Sequence, residues 1–351
     1  MRLIIPTFNR SAKLARTLEC YSLGKYDTKK MVVIDGSDTR HKVLNAENAR
    51  RLGFDYMHFD SKLNLVARLH EYLTHHCSQQ LVCIGSEEDV FCSSYLRQSE
   101  KFLLQNNDYS SYVGRYVTLG RPVLGINRLV YGRDFITRSD LSNPNPTLRL
   151  VGLLQSILVG CSPVFFSARR RTQLLRNLEA QMQVKYESTQ ELVDQVYLAL
   201  SGKIRFADDP MLLRDETNIG YKFYETRHDP EVYITQPDIK RLRAIVSSDF
   251  TVEGLELGLD ILEEMWSPMD VSDEKSKSIF LARHDKYYSS YEIFEGQSVT
   301  SGKLIRSIAK IGIVISELVS WPITRKTLNS IFGKRVIKRF SKLIPTHSIY
   351  K

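Results

Sequence analysis

The stretch Leu81-Val82-Cys83-Ile84-Gly85-Ser86-Glu87-Glu88-Asp89-Val90-Phe91 sets three consecutive carboxylates between a short apolar run and an apolar pair. Three acids against a buried strand call for a neutralising partner. A divalent cation carrying a phosphorylated substrate supplies one, because Mg2+ or Mn2+ held by one or two carboxylates also takes phosphate oxygens. If the strand persists, alternation puts Glu87 and Asp89 on one side and Glu88 on the other. Two further polar clusters follow apolar runs: Pro6-Thr7-Phe8-Asn9-Arg10 after Leu3-Ile4-Ile5, and Asp35-Gly36-Ser37-Asp38 after Met31-Val32-Val33-Ile34. Asn9 and Arg10 either cap the next helix or contact phosphates.

The elements that must carry these clusters alternate. Residues 2–5 read as a strand stopped by Pro6, and 11–23 as a helix with Ser11 able to cap it. Residues 31–34 form a continuous apolar run, the mark of a strand covered on both faces. A helix over 40–51, a strand over 54–59, a helix over 62–76, the strand 81–84 and a helix over 93–105 complete a βαβαβαβ order. That order predicts an α/β fold with a mostly parallel sheet flanked by helices. Ligands in such sheets bind beyond the C-terminal strand ends, where all three polar clusters fall. Further on, 112–117 and 164–166 read as strands, 118–147 as a long connection or hairpin, and 147–158 and 168–182 as helices. A helix over 189–201 opens on a Ser188–Glu191 capping box and closes at Gly202. Short strands at 204–206 and 222–224 and a mainly helical region at 236–266 follow.

The motifs together resemble those of GT-A glycosyltransferases, in particular family 2: Ile5-Pro6-Thr7-Phe8-Asn9-Arg10 after the first strand, Asp35 in Val33-Ile34-Asp35-Gly36-Ser37, and Glu87-Glu88-Asp89 in the place of the acidic metal motif. The likeness spans residues 2–115 well and 160–230 loosely. It implies a Rossmann-like GT-A domain and a nucleotide-sugar donor contacted by Pro6, Thr7, Asn9, Arg10, Asp35, Glu87 and Glu88. It also implies Mn2+ or Mg2+ on Asp89. His228, in a late loop, is a second candidate ligand, since neutral imidazole suits Mn2+. An inverting transfer needs a carboxylate base for the acceptor hydroxyl. The helix opening at Ser188 offers Glu187, Glu191 and Asp194, with Asp194 preferred and Glu191 next, although the family's adjacent Glu-Asp pair is absent. The expected organisation is a nucleotide-sugar half over 1–115, an acceptor half over 116–235, a helical extension over 236–300 and a basic helical tail over 301–351. In 118–147, Arg121, Arg128, Arg133 and Arg138 with Tyr131 and Phe135 are candidates for acceptor recognition.

Charge is unevenly distributed. The 351 residues carry 49 Lys and Arg against 40 Asp and Glu, a net +9. Residues 301–351 contain eleven of the cations and only Glu317 of the acids, which leaves residues 1–300 at −1. A neutral body argues against nucleic acid as a partner. In the tail, Phe332, Val336, Ile337 and Phe340 interleave with Lys334, Arg335, Lys338, Arg339 and Lys342, a basic amphipathic pattern suited to an anionic membrane surface. A glycan or a polyprenyl- or lipid-linked acceptor would fit such a setting. The N-terminus reads directly into a strand with no signal peptide. The five cysteines show no metal spacing. These features lead us to expect a reducing cytoplasmic location, peripheral at the inner face of the cell membrane. Two competing functions are a non-catalytic glycan- or membrane-binding protein of the same fold and a nucleotidyltransferase. The second lacks the Gly-rich loop expected after its first strand.

Overall fold

The computed structural model describes residues 1–24, 26–119, 129–131, 141–159, 163–185, 187–215 and 236–265. His228, the expected strand at 222–224, most of 118–147 and the tail from 301 lie outside these residues.

Strands β1 (Arg2–Thr7), β2 (Met31–Asp35), β3 (Asp55–His58) and β4 (Leu81–Ile84) are parallel and ordered β3-β2-β1-β4. Helices α1 (Ser11–Leu23), α2 (Thr39–Arg51) and α3 (Leu65–His75) connect them. Period-two geometry divides their side chains between two apolar layers. Leu3, Ile5, Met31, Val33, Leu81 and Cys83 pack with Leu14, Leu18 and Tyr21 of α1. Ile4, Val32, Ile34, Val82 and Ile84 pack with Val66, Leu69 and Leu73 of α3. Covering on both faces explains why β1, β2 and β4 are unbroken apolar runs, whereas the edge strand β3 is polar and half-buried.

Pro6 does not stop β1, which continues to Thr7 with Pro6 opposite Ile34. The backbone of Ile4 faces β4, where its carbonyl accepts from Gly85 N, so that of Pro6 faces the same way. β4 ends at Ile84, opposite Ile4. The N–H that proline lacks therefore falls where no strand is left to receive it.

Beyond β4 the sheet becomes mixed. β5 (Val90–Phe91) and α4 (Ser93–Gln105) lead to β6 (Tyr109–Leu119) and its antiparallel partner β7 (Leu129–Tyr131). α5 (Pro146–Val159) and a 3-10 turn at Pro163–Phe166 precede β8 (Ala168–Arg170), which lies antiparallel between β4 and β6. α6 (Arg171–Gln181) and α7 (Glu187–Ser201) precede β9 (Lys203–Asp215), parallel to β6 and antiparallel to β5. The expected strand at 164–166 is thus a 3-10 turn, with the strand four residues later. The helix expected from 168 begins at Arg171, and the one expected behind a Ser188 cap begins at Glu187.

α8 (Gln236–Asp249) and α9 (Leu255–Met265) form a third apolar cluster with α5, α6 and α7 through Leu150, Val193, Val196, Leu242 and Leu259. Buried Arg149 donates to the carbonyls of Ala199, Leu200, Asn143 and Pro144. It thereby satisfies the orphan carbonyls at the end of α7, where a cation also complements the helix dipole. Burial brings its pKa down to about 10.

Candidate functional site

The C-terminal ends of β1, β2 and β3 stand in line, with Thr7 opposite Asp35 and Asp35 opposite His58. Asp35 is fully buried, yet none of its donors carries charge. Its Oδ1 accepts from Ser37 N at 2.7 Å, and its Oδ2 accepts from Asn45 Nδ2 and Tyr56 Oη, both at 2.8 Å. Burial and the bond to Asp35 push the Tyr56 phenol far above its usual range. Asn9, at φ 55°, joins the first two loops: its N–H donates to Ser37 Oγ and its Oδ1 accepts from Asp38 N. Asn9 thus acts as a brace. Ser11 is the first residue of α1 rather than its cap. The N-cap position is Arg10, whose side chain makes no capping bond.

Arg68 of α3 lies beneath these loops. Its Nη1 donates to Thr7 O at 2.8 Å, and its guanidinium stands 5.8 Å from the ring centre of Phe8. Burial lowers its pKa, against the opposing pull of Asp35 on one side and Glu87 on the other. Gly36 makes room for it, since a Cβ there would stand 2.4 Å from Arg68 Nη1. Phe8, 46% exposed, is a large apolar ring in the loop after β1. Three polar atoms here are buried without a hydrogen-bond partner: Thr7 Oγ1, Asn45 Oδ1 and Arg68 Nε.

The acidic loop after β4 rests on α1. Thr17 Oγ1 donates to the carbonyl of Glu87 at 2.8 Å, Arg16 Nη2 to that of Glu88 at 3.3 Å and Tyr21 Oη to that of Asp89 at 3.4 Å. Arg10 pairs with Glu87 at 3.1 Å and also with Glu88, and Lys13 Nζ pairs with Glu88 at 2.7 Å. The neutralising partner that the acids call for is therefore supplied in part by the protein's own cations. Asp89 differs from both glutamates. It is buried, its Oδ2 accepts from Ser86 Oγ at 2.9 Å, and its Oδ1 has no partner. Burial pushes its carboxyl up to about 6, although Arg214 and Ser86 pull it back. The antiparallel register of Val90 with Leu213, carried one step further, sets Asp89 opposite Arg214.

A buried carboxylate oxygen with no donor suits one ligand of a divalent cation whose remaining positions are filled by phosphate and water. Among the described residues no group of three or more His, Cys, Asp or Glu is arranged to hold a metal by itself.

Asp194 of α7 is bonded to β8 and α6. Its carboxylate forms a bidentate pair with Arg169, at 2.5 and 2.7 Å, and accepts from Asn177 at 2.7 Å. Both partners of the pair are 1% exposed. From Asp89 the sequence of contacts runs through Arg214, Phe166, Phe165 and Arg169 to Asp194. The carboxylate expected to act as the base is thus buried and bonded to Arg169 and Asn177. Glu191, one turn earlier on α7, is exposed.

The sequence reading missed Phe8, Lys13, Asn45, Tyr56, Arg68 and Arg214. Phe8 stood inside the first quoted motif. Arg10, Lys13 and Arg16 recur every third residue of α1, and that basic stripe was a visible signal. Tyr56, Arg68 and Arg214 carried none.

No protein-family model and no curated protein matches the chain. Among solved structures, S. aureus TarS 1-349 in complex with UDP-GlcNAc is similar, with a TM-score of 0.50 and 14% identity over 86% of this chain and 77% of that one. Against the longer S. aureus TarS chain the TM-score is 0.48 with 14% identity, covering 81% of this chain and 43% of the other, so the protein spans less than half its length. The mannosyltransferase PcManGT from Pyrobaculum calidifontis, in complex with GDP-Man and Mn2+, matches with a TM-score of 0.47 and 11% identity over 97% and 85% of the two chains. The likeness to TarS 1-349 bears out the GT-A fold, a mixed α/β sheet flanked by helices.

Proposed function

We propose that the protein is a glycosyltransferase, moving a sugar from a nucleoside-diphosphate sugar to a glycan or lipid-linked acceptor with inversion at the anomeric carbon. The observation that carries this reading is the placing of Asp35 and Arg68 at the strand ends of a GT-A fold, with the unpartnered Oδ1 of Asp89 in the loop after β4. The nucleoside lies over Asp35, Phe8 and Arg68, where an aromatic ring, a guanidinium and spare polar atoms can hold a base and ribose. The diphosphate lies over the acidic loop.

Mn2+ or Mg2+ on Asp89 would add positive charge beside the leaving diphosphate. The chain's own Arg10, Lys13 and Arg214 act in the same sense. Glu191 takes the proton from the acceptor hydroxyl as its oxygen attacks the anomeric carbon and the bond to the diphosphate breaks. The nucleotide-sugar complexes of TarS 1-349 and PcManGT agree with this donor class. Among the described residues no helix is long and apolar enough to cross a membrane. The basic tail would instead hold the protein at a lipid surface, near a lipid-linked acceptor.

A thermal-shift screen against UDP-, GDP-, CMP- and dTDP-sugars, with and without Mn2+, tests the reading. We expect one base to stabilise the protein, and Asp89→Ala to abolish the Mn2+-dependent part of the shift. No shift with any of them would refute it.

A further inference from the structure

The three acids of the loop are held in two different ways. The carbonyls of Glu87 and Glu88 are gripped by Thr17, fully buried, and Arg16, 5% exposed. The Glu88 carboxylate is gripped from the solvent side. Its Oε1 pairs with Arg10, whose side chain is 53% exposed, and its Oε2 with Lys13, 31% exposed. Two accessible cations therefore share the Glu88 carboxylate, one on each oxygen, and Arg10 also pairs with Glu87 at 3.1 Å. One residue on lies a buried carboxylate oxygen that accepts from nothing.

We propose that Arg10 and Lys13 form a seat for a diphosphate, and that Glu88 competes for that seat. Binding then exchanges one anion for another. Arg10 and Lys13 are open to solvent and their pairs are screened by salt, so the Glu88 contacts are exchangeable, whereas the buried contacts of Thr17 and Arg16 keep the loop in place during the exchange. A diphosphate carries more charge than a carboxylate and offers several oxygens, so it satisfies both cations better than Glu88 does. Glu88 is then a competitor of the donor's phosphates and not their ligand. This deepens the nucleotide-sugar reading of the same site and rests on it only for the source of the diphosphate.

Inorganic pyrophosphate is the probe, titrated calorimetrically into the full chain in EDTA at low ionic strength. Glu88→Gln keeps the shape and removes the competing charge; it should tighten binding by ~10-fold, the scale of one charged hydrogen bond. Lys13→Met should weaken binding by ~10-fold, and in the double variant the gain from Glu88→Gln should shrink. Melting curves of each variant confirm that the protein titrated is folded. Unchanged or weaker binding by Glu88→Gln overturns the proposal, as does the absence of pyrophosphate binding by all the proteins. If pyrophosphate behaves as expected while no nucleotide or nucleotide sugar binds, the seat stands and the glycosyltransferase reading falls.

Discussion

At the scale of single residues, Asp89 combines a structural cost with a chemical opportunity. Its carboxyl is raised to about 6 in the fold, mainly by burial, against ~3.9 for an unfolded aspartate. The native state therefore holds the proton more tightly, and the contribution to stability is most favourable below about pH 4 and declines as the pH rises through about 6. Asp89→Asn should raise the melting temperature at pH 8 and leave it nearly unchanged at pH 4, with roughly 3 kcal/mol as the upper bound of the gain at pH 8. Calorimetric scans at the two pH values check this, and a lower melting temperature at pH 8 would show the charge to be structurally useful. The same substitution should abolish Mn2+-dependent donor binding, a trade of stability for function. Glu191 is the complementary case, exposed and near the start of α7. Glu191→Gln should lower kcat by ~100-fold or more with KM little changed, as removal of a general base does.

At the scale of elements, Asp194 ties α7 to β8. Asp194→Ala leaves the Arg169 guanidinium buried without its counter-charge and should cost ~3–5 kcal/mol in urea denaturation, while the folded fraction still binds donor. Equal loss of donor affinity in the folded fraction would return Asp194 to the site. This pair also shows where sequence reading stops. β1, β2 and β4 were legible because their apolar runs are covered on both faces and end in turn residues. β8 reads Ala168-Arg169-Arg170, with no apolar alternation, because its arginines bond to Asp194 and to the carbonyls of Tyr109, Leu103 and Asn106. β9 was read as three residues because register shifts around Arg115 interrupt its alternation near Asp208-Asp209-Pro210. In the site, the strand-end acids were legible from spacing. Arg68 and Tyr56 were not, since only the sheet register brings α3 and β3 to Asp35. The contrast between Asp194 and Glu191 depends on a partner 25 residues away.

At the scale of the whole molecule, the proposed reading assigns chemistry to the neutral body and location to the basic tail. Replacing Lys334, Arg335, Lys338 and Arg339 with glutamate should reduce co-sedimentation with vesicles containing anionic lipid and leave donor binding intact, since each basic residue near such a surface contributes ~1 kcal/mol. Unchanged co-sedimentation would remove the membrane from the reading. The helices α8 and α9 belong to the body, because they complete the apolar cluster of α5 and α7.

The position of β8 has a consequence in time. β4 pairs with β1 on one edge, but its other edge waits for Ala168–Arg170, more than eighty residues later in the chain. During synthesis at roughly 5–20 residues per second, the apolar edge Leu81–Ile84 stays unpaired for several seconds after β1 to β4 can assemble. An open apolar edge is a template for pairing with another chain. The newborn protein is most exposed to aggregation in that interval, and the three residues that end it are among the least apolar in the sheet.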